Sequence, residues 1–354
     1  MNKAVQKLRA RAIAQSFFTP SNLKSAVTKL GFVQADPIRS PARAQDLILR
    51  HRVKDYKAGD LERRFPSLDM EEDCLYAYGF VHRGIWELLH PRESARLSKL
   101  EKRVLDAVLQ AGPTHPATLQ EALGRKRVIN AWGGYSKATT QALEDLHYRG
   151  LLRIARRENG IRIYEASRPC PKLPQDERLR KLILVVVNIL GPVPIQTLNS
   201  NVARFQYLGN HREAVRQLIV SGDLESQVVD GLEYVWTSST KDNEAKDPVV
   251  RFLAPFDPLV WDRRRFEHLW GWAYRFEAYT PPAKRVRGYY AMPLLWKDDV
   301  IGWANATCRN GQLNIEVGFS KPRPTDSAFG HALEAESERL RSFLGVMGTD
   351  PSIP

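Results

Sequence analysis

An amide and a carboxylate stand two residues apart in the stretch 31–38, which reads Gly-Phe-Val-Gln-Ala-Asp-Pro-Ile. These side chains belong to Gln34 and Asp36. In an extended segment, side chains at positions i and i+2 project from the same face, so we expect both to point into one cavity or groove. Together they could hold and activate one water molecule. Taken alone the spacing is a weak signal, because a carboxylate before proline is also common in turns.

The basic residues are concentrated in the first half of the chain. Residues 1–175 contain 31 Lys and Arg against 18 Asp and Glu, whereas residues 176–354 contain 22 of each class. The net charge of +13 therefore belongs entirely to the first half. Such asymmetry is expected of a surface that meets polyphosphate. The asymmetry therefore favours a protein that binds nucleic acid. In a protein that is only generally basic, the charge would be spread evenly.

Length and composition limit the remaining possibilities. A chain of 354 residues is expected to form two to four compact units. No apolar run approaches the roughly 20 residues that span a bilayer, and the N-terminus lacks the features of a secretory signal. We therefore expect a cytoplasmic, nucleoid-associated monomer without membrane contact. Cys74, Cys170 and Cys308 form no C-x-x-C pair, so neither a disulfide framework nor a metal site is predicted.

Helices must position the Gln-x-Asp stretch, because apolar residues recur at helical spacing on both sides of it. Ser21 is a plausible N-cap for the helix that precedes it. The segment 33–41 contains Pro37 and Pro41, which prevent it from continuing that helix, and it is predicted to be extended. The helices predicted around it span 4–17, 21–30, 42–50, about 58–65 and about 69–89.

Two copies of one supersecondary unit follow in the sequence. The first has helices at 102–110, 117–123 and 136–149 and a hairpin around Asn159-Gly160; the second has helical elements at 177–190, 195–200 and 211–221 and a hairpin around Asp230-Gly231. Asn-Gly or Asp-Gly between alternating runs is the strongest short-range hairpin signal. Three helices and a two-stranded wing are the plan of a winged helix. The first hundred residues are read as a third, embellished copy.

A polar linker at 238–247 leads to a region of short apolar runs. These lie at 249–254, 274–279, 287–295, 300–308 and 312–319, and a helix is predicted over 328–343. Alternation and turn signals indicate antiparallel strands and a small barrel. The predicted fold class is α+β, with two or three tandem winged-helix domains followed by a small antiparallel β-barrel-like domain. The predicted domains are 1–100, 101–170, 176–240 and 248–345.

The stretch 31–38, with its continuation through Gln45, closely resembles the Gln-x-Asp motif of the AlkZ/YcaQ-like family of winged-helix DNA glycosylases. The block 253–265, followed by 274–279 and 282–285, is similar to the long C-terminal signature of that family. The similarity extends over essentially the full chain. The AlkZ branch carries Gln-x-Gln where this chain has Gln-x-Asp, so the chain resembles the YcaQ branch more closely.

This resemblance implies a monofunctional DNA glycosylase that acts in DNA repair. The expected substrate is double-stranded DNA containing purines alkylated at N7 or N3, with interstrand crosslinks as a further possibility. Asp36 is expected to stabilise an oxocarbenium-like sugar and to act as general base, and Gln34 to orient the water. The motif contains no lysine, so no Schiff-base lyase is indicated. No cofactor and no metal are expected.

Basic residues near the motif, in the first predicted wing and in the C-terminal signature are candidates for phosphate contacts, which position a protein on DNA without reading its sequence. A solvated charged face is the alternative for any one of them. The predicted DNA-binding residues are Arg39, Arg43, Arg50, Arg52, Arg153, Arg156, Arg157, Arg162, Arg263, Arg264, Arg265, Lys284 and Arg285.

Two other classes of function remain open at this point. Winged helices more often bind specific duplex sites than catalyse, so a transcription factor is the first alternative. The second is a non-catalytic duplex-binding or nucleoid protein whose tandem winged helices serve as interaction surfaces. Both leave Gln34 and Asp36 without a purpose, and neither predicts turnover of alkylated DNA.

Overall fold

The structure is a computed structural model that describes residues 2–92, 96–124, 126–129, 135–238 and 248–348. Most of the polar linker predicted at 238–247 lies outside the described residues. In the described part, no helix is long and apolar enough to cross a membrane.

The first region surrounds the Gln-x-Asp stretch with helices and a small sheet. Helix α2 begins after Asn22, whose side chain accepts a hydrogen bond from the Ser25 amide at 2.9 Å, and ends at Gly31 in the left-handed conformation. The N-cap is therefore Asn22 and not the predicted Ser21. The elements are α1 (Lys3–Ser16), α2 (Leu23–Leu30), β1 (Phe32–Gln34), α3 (Ala44–Leu49), α4 (Asp60–Arg64), β2 (Met70–Cys74), β3 (Tyr78–His82) and α5 (Arg83–Leu89).

The helix predicted over about 69–89 is wrong for most of its length. Strands β2 and β3 form an antiparallel hairpin there, and β1 pairs with the other edge of β3 in the order β1-β3-β2. Glu71 and Glu72 are buried in this hairpin, each paired with an arginine from beyond residue 150. From the sequence alone, the acidic run 71–73 fits the solvated face of a helix. Its burial is understood only when its distant arginine partners are known.

The second region follows the predicted order of helices and hairpin. Its wing turns through Asn159 and Gly160, with φ of +49° and +83°, as a two-residue turn with both residues left-handed requires. A short strand pair that the sequence did not predict precedes the third helix. The elements are α6 (Lys99–Ala111), α7 (Pro116–Leu123), β4 (Arg127–Ile129), β5 (Tyr135–Lys137), α8 (Ala138–Tyr148), β6 (Leu152–Glu158) and β7 (Ile161–Ala166).

The third region repeats the order of helices followed by a hairpin, and the sheet that contains its hairpin has one more strand. The hairpin turns through Asp230 and Gly231, again with positive φ, and β8 adds to it in the order β8-β10-β9. The elements are α9 (Gln175–Leu190), β8 (Val193–Pro194), α10 (Ile195–Val202), a 3-10 helix (Ala203–Leu208), α11 (His211–Val220), β9 (Leu224–Val229) and β10 (Leu232–Thr237).

The fourth region contains a five-stranded sheet in the order β11 to β15. The sheet is antiparallel except for the last pair, and it curls into a half-barrel. The run 274–279 was predicted as a strand, which is wrong. Its elements are β11 (Val250–Phe252), α12 (Pro258–Trp261), α13 (Arg263–Trp270), a 3-10 helix (Pro282–Lys284), β12 (Met292–Trp296), β13 (Asp299–Arg309), β14 (Gln312–Phe319), α14 (Ser327–Leu344) and β15 (Met347–Gly348).

Burial of aromatic side chains explains the irregular backbone at 274–279. Tyr274 is 2% exposed and its hydroxyl donates to the Ala291 carbonyl at 2.7 Å. Its ring packs edge-on against Trp272, with centroids 5.4 Å apart. The apolar residues of this run therefore pack into the core from a loop. The sequence pattern had predicted a strand there.

The hydrophobic cores cross the predicted domain boundaries. One cluster joins Val33 and Phe80 of the first region to Phe252, Tyr290 and Ile315 of the half-barrel. A second joins residues 75–89 to the third region, whereas another cluster lies entirely within the second region. The Gln-x-Asp stretch is thus packed between the other elements of the first region and the half-barrel.

Candidate active site

Asp36 lies in the wall of a cavity of about 390 Å³. Strand β1 ends at Gln34, and the Ala35 amide extends its pairing by donating to the Tyr78 carbonyl at 3.0 Å. The backbone then turns at Asp36, where Oδ1 accepts from the Ile38 amide at 2.9 Å. The cavity is lined by Ala35, Asp36, Pro37, Arg39, Arg43, Gln45, Glu62, Tyr78, Phe80, Arg157, Gly160 and Arg162.

The environment of Asp36 favours the protonated carboxyl more than water does. Burial raises the pKa of Asp36 above its ordinary value, and the hydrogen bond from the Ile38 amide opposes this only in part. A carboxylate with a raised pKa is a stronger base once ionised. Asp36 is only partly buried, so its carboxylate remains within reach of a ligand in the cavity.

Gln34 is placed differently from the expectation that both side chains face one cavity. It is partly buried and is not among the residues that line the cavity. Its Oε1 is buried and has no hydrogen-bond partner among the described residues. An unpaired buried amide oxygen is costly, and Gln34 Oε1 has the capacity to accept a hydrogen bond.

A second carboxylate near the cavity has the opposite character. Glu72 accepts from Arg157 Nε at 2.7 Å and from the Tyr78 hydroxyl at 2.8 Å. Burial alone raises the pKa of Glu72, but the Arg157 guanidinium and the Tyr78 hydroxyl outweigh it, and the net pKa lies below the ordinary value. Environments that push two carboxylates in opposite directions indicate different roles. The ion pair with Arg157 makes Glu72 a structural anchor of the wing, whereas burial favours the protonated form of Asp36.

The wing of the second region closes one side of the cavity. Arg157, Gly160 and Arg162 of this hairpin line it, and the Arg162 guanidinium lies 4.7 Å over the Tyr78 ring. On the other side, Arg43 forms an ion pair with Glu62. The cavity walls therefore carry four arginines from two regions of the chain around one half-buried aspartate.

The structure separates the predicted DNA contacts into accessible and buried residues. The prediction is wrong for Arg50, Arg52 and Arg265, because a phosphate cannot reach side chains that are 3% exposed or less. Each of the three donates to protein oxygens instead. Exposed or partly buried positions are held by Arg39, Arg43, Arg153, Arg156, Arg157, Arg162, Arg263, Arg264, Lys284 and Arg285.

Several of the accessible arginines already have partners. Arg153 donates to Glu71 at 2.8 Å, and Arg263 donates to the carbonyls of Val260 and Pro255 at 2.7 and 2.9 Å. Arg39, Arg156, Arg264 and Lys284 are exposed, and the partner of Arg156, Glu158, is a surface residue that leaves the guanidinium accessible. We therefore expect Arg153 and Arg263 to act mainly in packing, and the exposed four to be the better candidates for phosphate contacts.

The C-terminal signature block supports the fold beside the site. Asp257 is fully buried, caps helix α12 by accepting from the Leu259 amide, and forms a two-pronged ion pair with Arg52 at 2.8 and 3.1 Å. Arg52 also donates to the carbonyls of Ser16 and Ile48. The block thus fixes α1 and α3 against the half-barrel.

Comparison with known proteins decides what kind of protein carries this site. The family model for the AlkZ-like DNA glycosylases matches residues 27–343. The chain belongs to the AlkZ-like DNA glycosylase family. The family is one of hydrolases that act on N-glycosidic bonds in DNA, and the matched residues include the Gln-x-Asp stretch and the signature block.

The fold agrees with this assignment. The structure is similar to that of the DNA glycosylase AlkZ from Streptomyces sahachiroi, with a TM-score of 0.64, covering 99% of each chain. The two sequences are 14% identical, so this likeness concerns the fold. Among the described residues, no cluster of three or more His, Cys, Asp or Glu side chains could hold a metal ion.

Sequence reasoning missed the residues that complete the cavity around Asp36. Tyr78 and Phe80 lie on β3, in the stretch that was predicted to be helical. The alternation of Tyr78, Phe80 and His82 with smaller or aliphatic residues was a strand signal. Glu72 offered no comparable signal, because its role depends on Arg157, which lies 85 residues away.

Proposed function

We propose that this DNA glycosylase hydrolyses the N-glycosidic bond of purines alkylated at N7 or N3, without a lyase step. The observation that carries the proposal is the Asp36 carboxylate, with its raised pKa, in the wall of an arginine-lined cavity. A purine alkylated at these positions is cationic and leaves without protonation by the enzyme. The protein then needs an anion beside the sugar and a base for water, and one carboxylate can supply both.

The residues of the cavity support hydrolysis and not amine chemistry. No lysine is among the residues that line it, so no primary amine is placed to attack the sugar. On the Gln-x-Asp motif, Gln34 is proposed to orient the attacking water, for which its side chain must turn toward the cavity that Asp36 lines. We assign the protein to the YcaQ branch on its Gln-x-Asp motif, and we propose interstrand crosslinks as a further substrate.

We further propose that residues 101–170 and 176–240 are winged-helix domains that position duplex DNA over the cavity. In both, helices precede a two-stranded hairpin with a two-residue turn. The first of these wings supplies Arg157 and Arg162 to the cavity wall. The first hundred residues, as an embellished third copy, and the half-barrel at 248–345 complete the proposed domain organisation.

The proposed function is tested by treating alkylated duplex DNA with the purified protein and then with heat or alkali, which cleaves abasic sites. Strand breaks at alkylated purines are expected in excess of those in a protein-free sample given the same treatment, and strand breaks without heat or alkali are not, because no lyase step is proposed. A transcription factor would instead bind one sequence tightly and leave alkylated DNA intact. That result would exclude the proposal.

The pH dependence of base release should reflect the environment of Asp36. The carboxyl must be ionised to act as a base, and burial raises its pKa. We expect the rate constant for release of N7-methylguanine under single-turnover conditions to fall as the pH is lowered, with a midpoint above the ordinary range for aspartate. A rate that stays constant down to the ordinary aspartate pKa would contradict this role. Spontaneous release at each pH is the control.

The accessible arginines predict a strong dependence of DNA affinity on salt. Each phosphate contact adds about 0.9 to the slope of log affinity against log salt concentration. Arg39 is exposed at the cavity rim, so Arg39→Ala should reduce the slope by about 1. Arg323→Ala is the matched control, since Arg323 is an exposed arginine outside the predicted set and outside the proposed winged-helix domains. Equal slopes for both variants would exclude a phosphate contact at Arg39.

A further inference from the structure

An irregular segment between α13 and β12 exposes three large apolar side chains. Tyr279, Val286 and Tyr289 are 79%, 76% and 41% exposed. We call residues 275–289 the aromatic loop. Its sequence also carries Lys284, which is exposed, and Arg285, which is partly buried. Exposed aromatic rings interleaved with cations are typical of surfaces that contact unstacked nucleotides.

The aromatic loop is held in one shape by a buried carboxylate. Glu277 is 7% exposed, and its Oε2 accepts from the amides of Val286, Arg287 and Gly288 at 3.0, 2.9 and 3.2 Å. Gly288 has a φ of +117°, and a Cβ atom there would lie 2.6 Å from the Asn305 side chain. The loop is therefore a defined surface whose apolar side chains stay exposed.

A cation lies beside Tyr289, one of the exposed tyrosines. Arg285 Nε donates to the Thr280 carbonyl, next to Tyr279, at 2.8 Å. The Arg285 guanidinium also lies 5.0 Å from the centroid of the Tyr289 ring. This arrangement sets a positive charge beside the Tyr289 ring, in the same loop as the exposed Tyr279. It suits a nucleotide, whose base has a π face and whose phosphate is anionic, better than an apolar peptide.

The base of the aromatic loop packs against the core that holds the Gln-x-Asp stretch. Tyr290, which directly follows the loop, is 3% exposed and lies in the same hydrophobic cluster as Val33. Ala35 and Phe276 pack against that cluster, and the rings of Phe276 and Tyr290 meet edge-on at 5.2 Å. The loop is thus connected through packed side chains to the backbone that carries Asp36.

We propose that the aromatic loop is a second DNA-contacting surface, which holds an unstacked nucleotide of the damaged duplex through Tyr279 and Tyr289. Lys284 and Arg285 neutralise the phosphates beside that nucleotide. This inference rests on the proposed function, since it takes damaged duplex DNA as the ligand. In an intact duplex neighbouring bases cover both faces of each base. The loop therefore favours duplexes in which one base is unpaired or extruded.

The test compares two labelled duplexes that differ only in one central bulged base. Wild-type protein is expected to bind the bulged duplex more tightly, as measured by fluorescence anisotropy. Tyr279→Ala and Tyr289→Ala should each weaken binding to the bulged duplex about fivefold or more, the lower end of stacking contributions, and leave the paired duplex nearly unchanged. Gln312→Ala, at an exposed position on β14 outside both the loop and the proposed winged-helix domains, is the control.

Two results would overturn the inference. One is a Tyr279→Ala/Tyr289→Ala double variant that binds both duplexes as the wild type does. The other is an equal loss for both duplexes, which would indicate general charge or folding effects. Glu277→Ala should reproduce the selective loss by releasing the loop. If that variant fails to fold, the exposed tyrosine variants still decide the question.

The binding test involves no chemistry, so its failure is distinguishable from failure of the proposed function. Unchanged binding by the tyrosine variants, with normal release of N7-methylguanine, overturns the aromatic-loop inference alone. Absence of base release by the wild type, with selective binding retained, overturns the proposed reaction and leaves the loop as a DNA contact. Binding of the aromatic loop to another protein, without any preference for the bulged duplex, would also refute the inference.

Discussion

Asp257→Ala should lower the free energy of unfolding by about 3–5 kcal/mol, the range found when one partner of a buried ion pair is removed. Both side chains of the Arg52–Asp257 pair are 0% exposed. The variant leaves the Arg52 guanidinium buried without its counterion, and it also removes the cap of α12. Urea denaturation followed by circular dichroism measures the change.

Glu177→Ala is the matched control for this prediction. Glu177 pairs with Lys181 at 2.6 Å, but both side chains are more than 40% exposed, and such surface pairs contribute at most about 1 kcal/mol. Equal losses for Asp257→Ala and Glu177→Ala would contradict the assignment of Arg52 as a structural residue. They would reopen its predicted role in DNA binding.

The wrong prediction that Arg52 contacts DNA shows which kind of contact a sequence does not reveal. An arginine close to a catalytic motif in a basic half of the chain fits a phosphate contact. Its partner lies 205 residues away, and no local pattern reveals that pairing. The signature block around Asp257 was recognisable by its resemblance to a family, but its structural purpose emerged only when the two segments were seen together.

Sequence signals correctly predicted the elements whose conformation depends on neighbouring residues in the chain. The turns at Asn159-Gly160 and Asp230-Gly231 were predicted from residue types alone, and both have the expected positive φ. The helix at 328–343 was also correctly predicted, with α14 spanning Ser327–Leu344. The hairpin β2–β3 was missed because its buried acids depend on arginines from a different region.

The candidate site was predictable in its centre and not in its walls. Asp36 was identified from its spacing to Gln34 and from the family resemblance, and it lies in the cavity. Tyr78 comes from β3, which pairs with β1, whereas Arg157 and Arg162 come from β6 and β7 and are brought there by the packing of the second region on the first. Their arrangement follows from tertiary contacts that a single sequence does not specify.

Asp36→Asn should reduce the rate of base release by about 100-fold or more. Loss of general acid–base catalysis typically costs about 100- to 10,000-fold, and the amide also removes the negative charge beside the sugar. Glu62→Gln is the control, because Glu62 lines the same cavity but forms an ion pair with Arg43. We expect a much smaller effect there, which would separate a specific role of Asp36 from the overall charge of the cavity.

The stability of the Asp36→Asn variant provides an independent check. Because the pKa of Asp36 is raised in the folded protein, folding favours the protonated carboxyl. That contribution to stability is fully present below the unfolded pKa and is lost as the pH rises through the folded pKa. At neutral pH the neutral amide should therefore leave the melting temperature unchanged or higher.

The central claim is that the Asp36 carboxylate carries out the reaction. It is tested most directly by single-turnover release of N7-methylguanine from a methylated duplex, with wild type and Asp36→Asn compared at saturating protein. The account predicts a rate constant at least about 100-fold lower for the variant, with a DNA affinity that is not reduced. Equal rate constants for the two proteins would contradict it.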